Sequence, residues 1–153
     1  LLLETICSTG IRVSELQFIT VEALRKGCAD VNCKGKRRII FLPEKLQKLL
    51  LKYAKNHGIG EGHVFITKGG HPLNRSNIWA DMKKLCMEAQ VSPEKVFPHN
   101  LRHLFARTFY SLEKDIAKLA DLLGHSSIET TRIYIMESGK EHRRRLNQMR
   151  LVW

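Results

Sequence analysis

At 153 residues the chain has the length of one domain, enough to bury a core without disulfide or metal staples. Hydrophobic residues at 43% and charged residues at 27% exclude a disordered chain, and no apolar run approaches the roughly 20 residues of a membrane-spanning helix. Lys and Arg number 26 against 15 Asp and Glu, a net charge of +11 that points to a polyanionic partner, nucleic acid first.

The chain opens inside an apolar helical stretch without Met, so it is expected to be a piece of a longer protein. That first helix should stop at Gly10, which can take the left-handed cap conformation. A second helical segment carries Ser14, Glu15 and Leu16. Residues 28–33 alternate, Lys34-Gly35-Lys36 turns, and residues 37–42 return, which predicts a β-hairpin with a basic tip. Pro43 suits a helix start, and Leu46, Leu49, Leu50 and Tyr53 form its stripe. A third short strand is expected at His63-Val64-Phe65-Ile66. A helix from about Ser76 should turn Ile78, Met82, Leu85 and Ala89 inward. Two more helices follow, from His99 to about Ser111 and from Lys114 to the stop at Gly124. Ser126 and Glu129 have capping-box spacing for a last short helix that carries Tyr134. The tail, residues 137–153, is basic. Its Leu146, Met149 and Trp153 share a helical face that must be buried in cis or on another copy.

The four cysteines, Cys7, Cys28, Cys33 and Cys86, form no C-x-x-C pair. They are expected to be reduced, mostly buried and without zinc, in a cytoplasmic protein.

Four segments carry chemistry, and each has an ordinary reading beside it. Arg12 follows a glycine turn at a helix start, poorly placed for the dipole but well shaped for a phosphate, with Glu15 three residues on to hold it. By itself it is a surface ion pair. Lys34, with Lys36, Arg37 and Arg38, can reach from the hairpin into a groove, or simply solvate a strand edge. His99 and Arg102 stand at i and i+3 and share a helix face, while His103 is expected to face elsewhere. His125 ends a helix, and Tyr134 follows nine residues later; its apolar neighbours Ile133 and Ile135 also suit a core aromatic. Taken together, two Arg, one Lys and two His suit a phosphorane transition state, whose charge builds on non-bridging oxygens. Tyr134 supplies an oxygen nucleophile. No carboxylate cluster of two-metal type accompanies them.

The segments TGIRVSEL, CKGKRR, HNLRH and LLGHSSIETTRIY resemble the catalytic-domain motifs of the tyrosine recombinases, the phage integrase family, over residues 1 to about 136. The resemblance implies a mainly α-helical fold with a small antiparallel β-sheet of about three strands, the fold of DNA breaking–rejoining enzymes. It implies that Arg12 and Arg102 clamp a scissile phosphate and that Lys34, with Lys36 as its rival, protonates the leaving 5′-oxygen. His99 would assist proton transfer, His125 would bond a phosphate oxygen, and Tyr134 would form a 3′-phosphotyrosine with Glu15 behind the clamp. Cofactors and metals are expected to be none. The partners implied are double-stranded DNA and, in the full-length protein, a homotetramer on it, with no membrane. The upstream DNA-grasping domain of the family is absent from residues 1–153. A type IB topoisomerase-like relaxation activity and a non-catalytic DNA-binding module are the alternatives.

Overall fold

The computed structural model describes residues 1–33, 35–94, 96–135 and 148–149. Lys34 and nearly all of the basic tail lie outside the described residues.

Helix α1, Leu2–Thr9, ends where the sequence places it: Gly10 has φ 62° and its N–H donates to the Ile6 carbonyl. A Cβ at position 10 would lie 2.5 Å from Phe105 Cδ1, so the close approach of the Phe105 ring demands glycine as much as the dihedral does. The next segment, Val13–Phe18, is a 3₁₀ helix rather than an α-helix, and Arg12 is its N-cap residue. Helix α2, Val21–Lys26, starts on Thr20, whose side chain accepts from the Ala23 N–H.

Strands β1, Cys28–Cys33, and β2, Lys36–Phe41, pair antiparallel as the alternation predicts, with Ala29 opposite Ile40 and Val31 opposite Arg38. Ala29, Val31 and Ile40 are buried, whereas Ile39 and Phe41 are exposed. Arg38 therefore stands on the inner face of the hairpin. The expected third strand does not join this sheet. His63 makes an isolated bridge with Thr20 and Ile66 another with Pro72, so the segment is divided between two partners and the sheet has two strands among the described residues.

Helix α3, Glu44–Asn56, buries Leu46, Leu50 and Ala54. Helix α4, Arg75–Glu88, is capped reciprocally by Asn74 and Asn77. It buries Ile78, Met82 and Cys86, a strict spacing of four that leaves Leu85 and Ala89 exposed against expectation. Helix α5, Pro98–Glu113, has its proline in the first turn. Helix α6, Ile116–Leu123, is capped by Asp115 and stopped by Gly124 at φ 63°. Helix α7, Ile128–Ile135, starts one residue later than expected: Ser127 accepts from the Glu129 N–H, in place of Ser126.

Two clusters form the core. The larger, including Ile6, Leu24, Leu50 and Ile78, joins α1 to α4 and the hairpin. The smaller gathers Ala106, Leu119, Leu123 and Tyr134 from α5, α6 and α7. Cys7 and Cys28 are free and only half-buried, whereas Cys86 is buried as expected. No described helix is long and apolar enough to cross a membrane.

Candidate active site

The site lies on the seam between the two clusters, where α1 and α6 both end. A helix C-terminus leaves carbonyls without intrahelical partners and carries the negative end of the dipole, so it favours cations. Three guanidinium groups use these carbonyls. Arg102 of α5 donates to the Gly10 carbonyl and, at 2.6 Å, to that of Leu123. Arg38 of β2 donates to the Leu122 carbonyl, and Arg12 to that of Gly124 at 3.3 Å.

One carboxylate balances them. Glu15 is 2% exposed and sits between Arg12 and Arg38. Its Oε2 accepts the Arg12 backbone N–H at 2.9 Å, and its Oε1 accepts from the Arg12 guanidinium at 2.9 Å. Arg38 donates to both oxygens. Burial pushes the Glu15 carboxyl up, but the hydrogen bonds and charge of Arg38 and Arg12 outweigh it and hold the group below its ordinary value. The Arg12 side chain remains 41% exposed.

Arg102 is the reverse case, 3% exposed. Burial first, then the charges of Arg12 and Arg38, pulls its pKa down to about 10, which still leaves a cation at neutral pH. Its Nε–H is buried with no hydrogen-bond partner among the described residues. Its terminal nitrogen lies 3.1 Å from His125 Nε2. Arginine has only donors, so Nε2 accepts and the proton of the neutral ring resides on Nδ1, which donates to Thr131 Oγ1 at 2.9 Å. Burial, then Arg102, Arg12 and Arg38, lowers the His125 pKa to about 4.

Tyr134 is 8% exposed and belongs to the smaller core cluster, yet histidines surround its ring. His99 meets it edge-on at 5.2 Å between centroids, and His125 lies tilted at 5.1 Å. His103 does not face elsewhere: it stacks on Tyr134 at 4.1 Å and 20°. His99 and His103 are i and i+4 on α5, so they share the face that meets α7. Burial, then neighbouring charge, lowers the pKa of both. An open groove of about 1510 Å³ runs past the site, lined by Arg12, Glu15, Arg38, Gly124 and His125. Among the described residues no group of three His, Cys, Asp or Glu is placed to hold a metal ion.

Residues 1–141 match the phage integrase family. The chain belongs to this family. Tyrosine recombinase XerD of Xanthomonas axonopodis pv. citri (strain 306) is 35% identical over 161 residues, which covers 95% of this chain and 52% of the relative. The chain thus spans about half the length of that relative. The crystal structure of XerA recombinase superposes with a TM-score of 0.77 at 27% identity, over 97% of this chain and 55% of that one. XerH site-specific recombinase, in its pre-cleavage complex with difH substrate, gives 0.73 at 25% identity over 99% and 46%.

Of the residues expected in this integrase-family site, Arg12, Glu15, Arg102 and His125 form one hydrogen-bonded set with carbonyls of α1 and α6. His99 and Tyr134 join it through ring contacts. Two further participants, Arg38 and His103, have no place among the expected site residues. Arg38 was legible in strand alternation, because it shares the face of Ile40 and a buried arginine needs a carboxylate. His103 was legible in its i+4 spacing from His99.

Proposed function

We propose that the full-length protein is a site-specific tyrosine recombinase that cleaves and rejoins duplex DNA through a covalent 3′-phosphotyrosine. The carrying observation is the convergence of Arg12, Arg102, His125 and Tyr134, from distant parts of an integrase-family chain, on one seam. XerH, similar over nearly the whole chain, is bound to its difH substrate. The relatives are about twice as long, which supports reading residues 1–153 as one domain of a longer protein. We read that domain as catalytic, with 137–153 as its basic tail, and the full-length protein as a homotetramer on double-stranded DNA.

Arg12 and Arg102 hold the non-bridging oxygens of the scissile phosphate. The buried Nε–H of Arg102, unpaired among the described residues, supports this, because such a donor costs about 1–3 kcal/mol and an anion would relieve it. Tyr134 Oη attacks phosphorus and becomes the 3′-phosphate ester, while the 5′-oxygen leaves with a proton from Lys34. His99 takes the phenolic proton. Phosphodiester energy is kept in the tyrosine ester, so the step needs neither metal nor ATP. A phosphate also answers the repulsion that keeps His125 neutral. With the anion bound, His125 gains proton affinity and can donate to a phosphate oxygen. Glu15 keeps Arg12 facing the groove.

The test is covalent trapping on a nicked duplex that carries the recombination site. Tyr134→Phe keeps the ring and removes the attacking oxygen. DNA binding should persist and adducts should vanish. Adducts formed by the Phe variant would remove Tyr134 from the role.

A further inference from the structure

Among the described residues the Arg12 guanidinium has two supports, the Glu15 carboxylate and the Gly124 carbonyl. Arg38 grips both. Its Nε and one terminal nitrogen bond Glu15, while the other terminal nitrogen bonds Leu122, in the same α6 terminus as Gly124. Its stem fills the space where a side chain at 124 would stand: a Cβ there would lie 2.4 Å from Arg38 Cδ. The Arg38 side chain is only 10% exposed, and it lies on the strand face that packs inward. One planar fork thus joins three elements: the hairpin, the 3₁₀ helix and the end of α6.

We propose that Arg38 is a positioning residue of this site: by holding Glu15 and the end of α6 together, it fixes the direction in which Arg12 and His125 face the groove. The inference rests on the reading that the groove receives a phosphodiester. Lysine cannot replace Arg38, because a single ammonium lacks the fork that serves a carboxylate and a carbonyl in two directions.

The experiment follows the Arg12 Nη–H protons, which bond Glu15 and Gly124, by nitrogen-15 NMR of the 153-residue chain without DNA, the signal being assigned by its loss in Arg12→Lys. In Arg38→Met its exchange with water should quicken at least about tenfold, the scale of coupling between groups in one contact network. Arg38→Lys should show nearly the same gain although it keeps the charge. In a Glu15→Gln background the Arg38→Met change should largely disappear, because the path through the carboxylate is already cut. Amide signals of α3 and α4, remote from the site, should stay in place. Unchanged Arg12 exchange in Arg38→Met overturns the proposal, and so does full recovery in Arg38→Lys or a fully additive double variant. If Arg38→Met does not fold, Arg38→Lys and Arg38→Gln carry the same comparison. Titration with dimethyl phosphate tests the underlying reading separately. If the wild-type Arg12 signal ignores this phosphodiester, the phosphate assignment fails and the proposed role in the reaction falls with it, while the exchange data still report whether Arg38 holds Arg12.

Discussion

The two halves of the site are held by different forces. The cationic half is fastened by donors: Arg12, Arg38 and Arg102 are tied to carbonyls at two helix ends and to Glu15. The other half, called the nucleophile half after the role proposed for Tyr134, is fastened by shape, with the Tyr134 ring packed among His99, His103 and His125 on an apolar cluster. Under the proposed function the carbonyls that hold these guanidiniums yield to phosphate oxygens of higher charge, so the first half suits an exchange of partners. Ring packing has no such substitute, so the second half is built to stay. His125 belongs to both, bonded to Arg102 and set against Tyr134.

The largest effects should come from the cationic half, and its two flanks should separate. Arg12→Ala and Arg102→Ala should each slow cleavage by about 10²–10³-fold, the usual cost of one preorganised donor. Arg12 is half in solvent, so its loss should leave the melting temperature nearly unchanged. Arg102→Ala strips buried partners from the Gly10 and Leu123 carbonyls and should lower the melting temperature as well. Cleavage rates measured beside thermal melts decide this. Equal melting losses for both variants would mean that the two arginines are not held as differently as their exposure indicates.

Titration sharpens the same contrast on a smaller scale. His125 is lowered from 6.5 to about 4, and His99 and His103 are lowered too. Between pH 6.5 and 4 the unfolded chain therefore binds protons that the folded chain refuses, and stability falls as pH falls. Glu15, lowered from 4.5, adds a loss of the same sign only below that value. The nucleophile half should loosen first on acidification and the cationic half later. Circular-dichroism melts from pH 7 to 3.5 should show the melting temperature declining from about pH 6.5, and His125→Gln should flatten the upper part of that decline. A flat profile down to pH 4.5 would contradict the lowered histidines.

Local periodicity makes most of the fold legible: the Gly10 and Gly124 stops, the existence of the hairpin and α5 are all short-range signals, whereas the hairpin register is not. What escaped depended on tertiary choice. The segment from His63 to Ile66 has strand chemistry, but two isolated bridges to different partners replace a ladder. Leu85 was as apolar as Cys86, and only packing selected the cysteine. In the site, His99, Arg102, His125 and Tyr134 were legible from motif spacing, whereas Arg38 and His103 required two periodicities to be applied to charged and polar residues as strictly as to apolar ones. Lys34 lies outside the described residues, so its place beside the groove stays with the family resemblance.

His103 gives the finest test of the packed half. Its ring stacks on Tyr134, and it is also hydrogen-bonded to the Tyr134 main chain, where the Arg107 Nε–H reaches the carbonyl at 3.4 Å. That carbonyl lies in the last turn of α7, so His103 holds the residue by both ring and backbone. His103→Phe keeps a stacking ring and removes the donor; His103→Ala removes both. The stack should account for about 0.5–1.5 kcal/mol, so Ala should be less stable than Phe by about that amount in chemical denaturation. Adduct formation should follow the same order, Phe closer to wild type than Ala, because the position of Tyr134 depends more on the ring than on the bond. If Phe and Ala lose equally, the hydrogen bond dominates and the nucleophile half is held by donors after all, like the cationic half beside it.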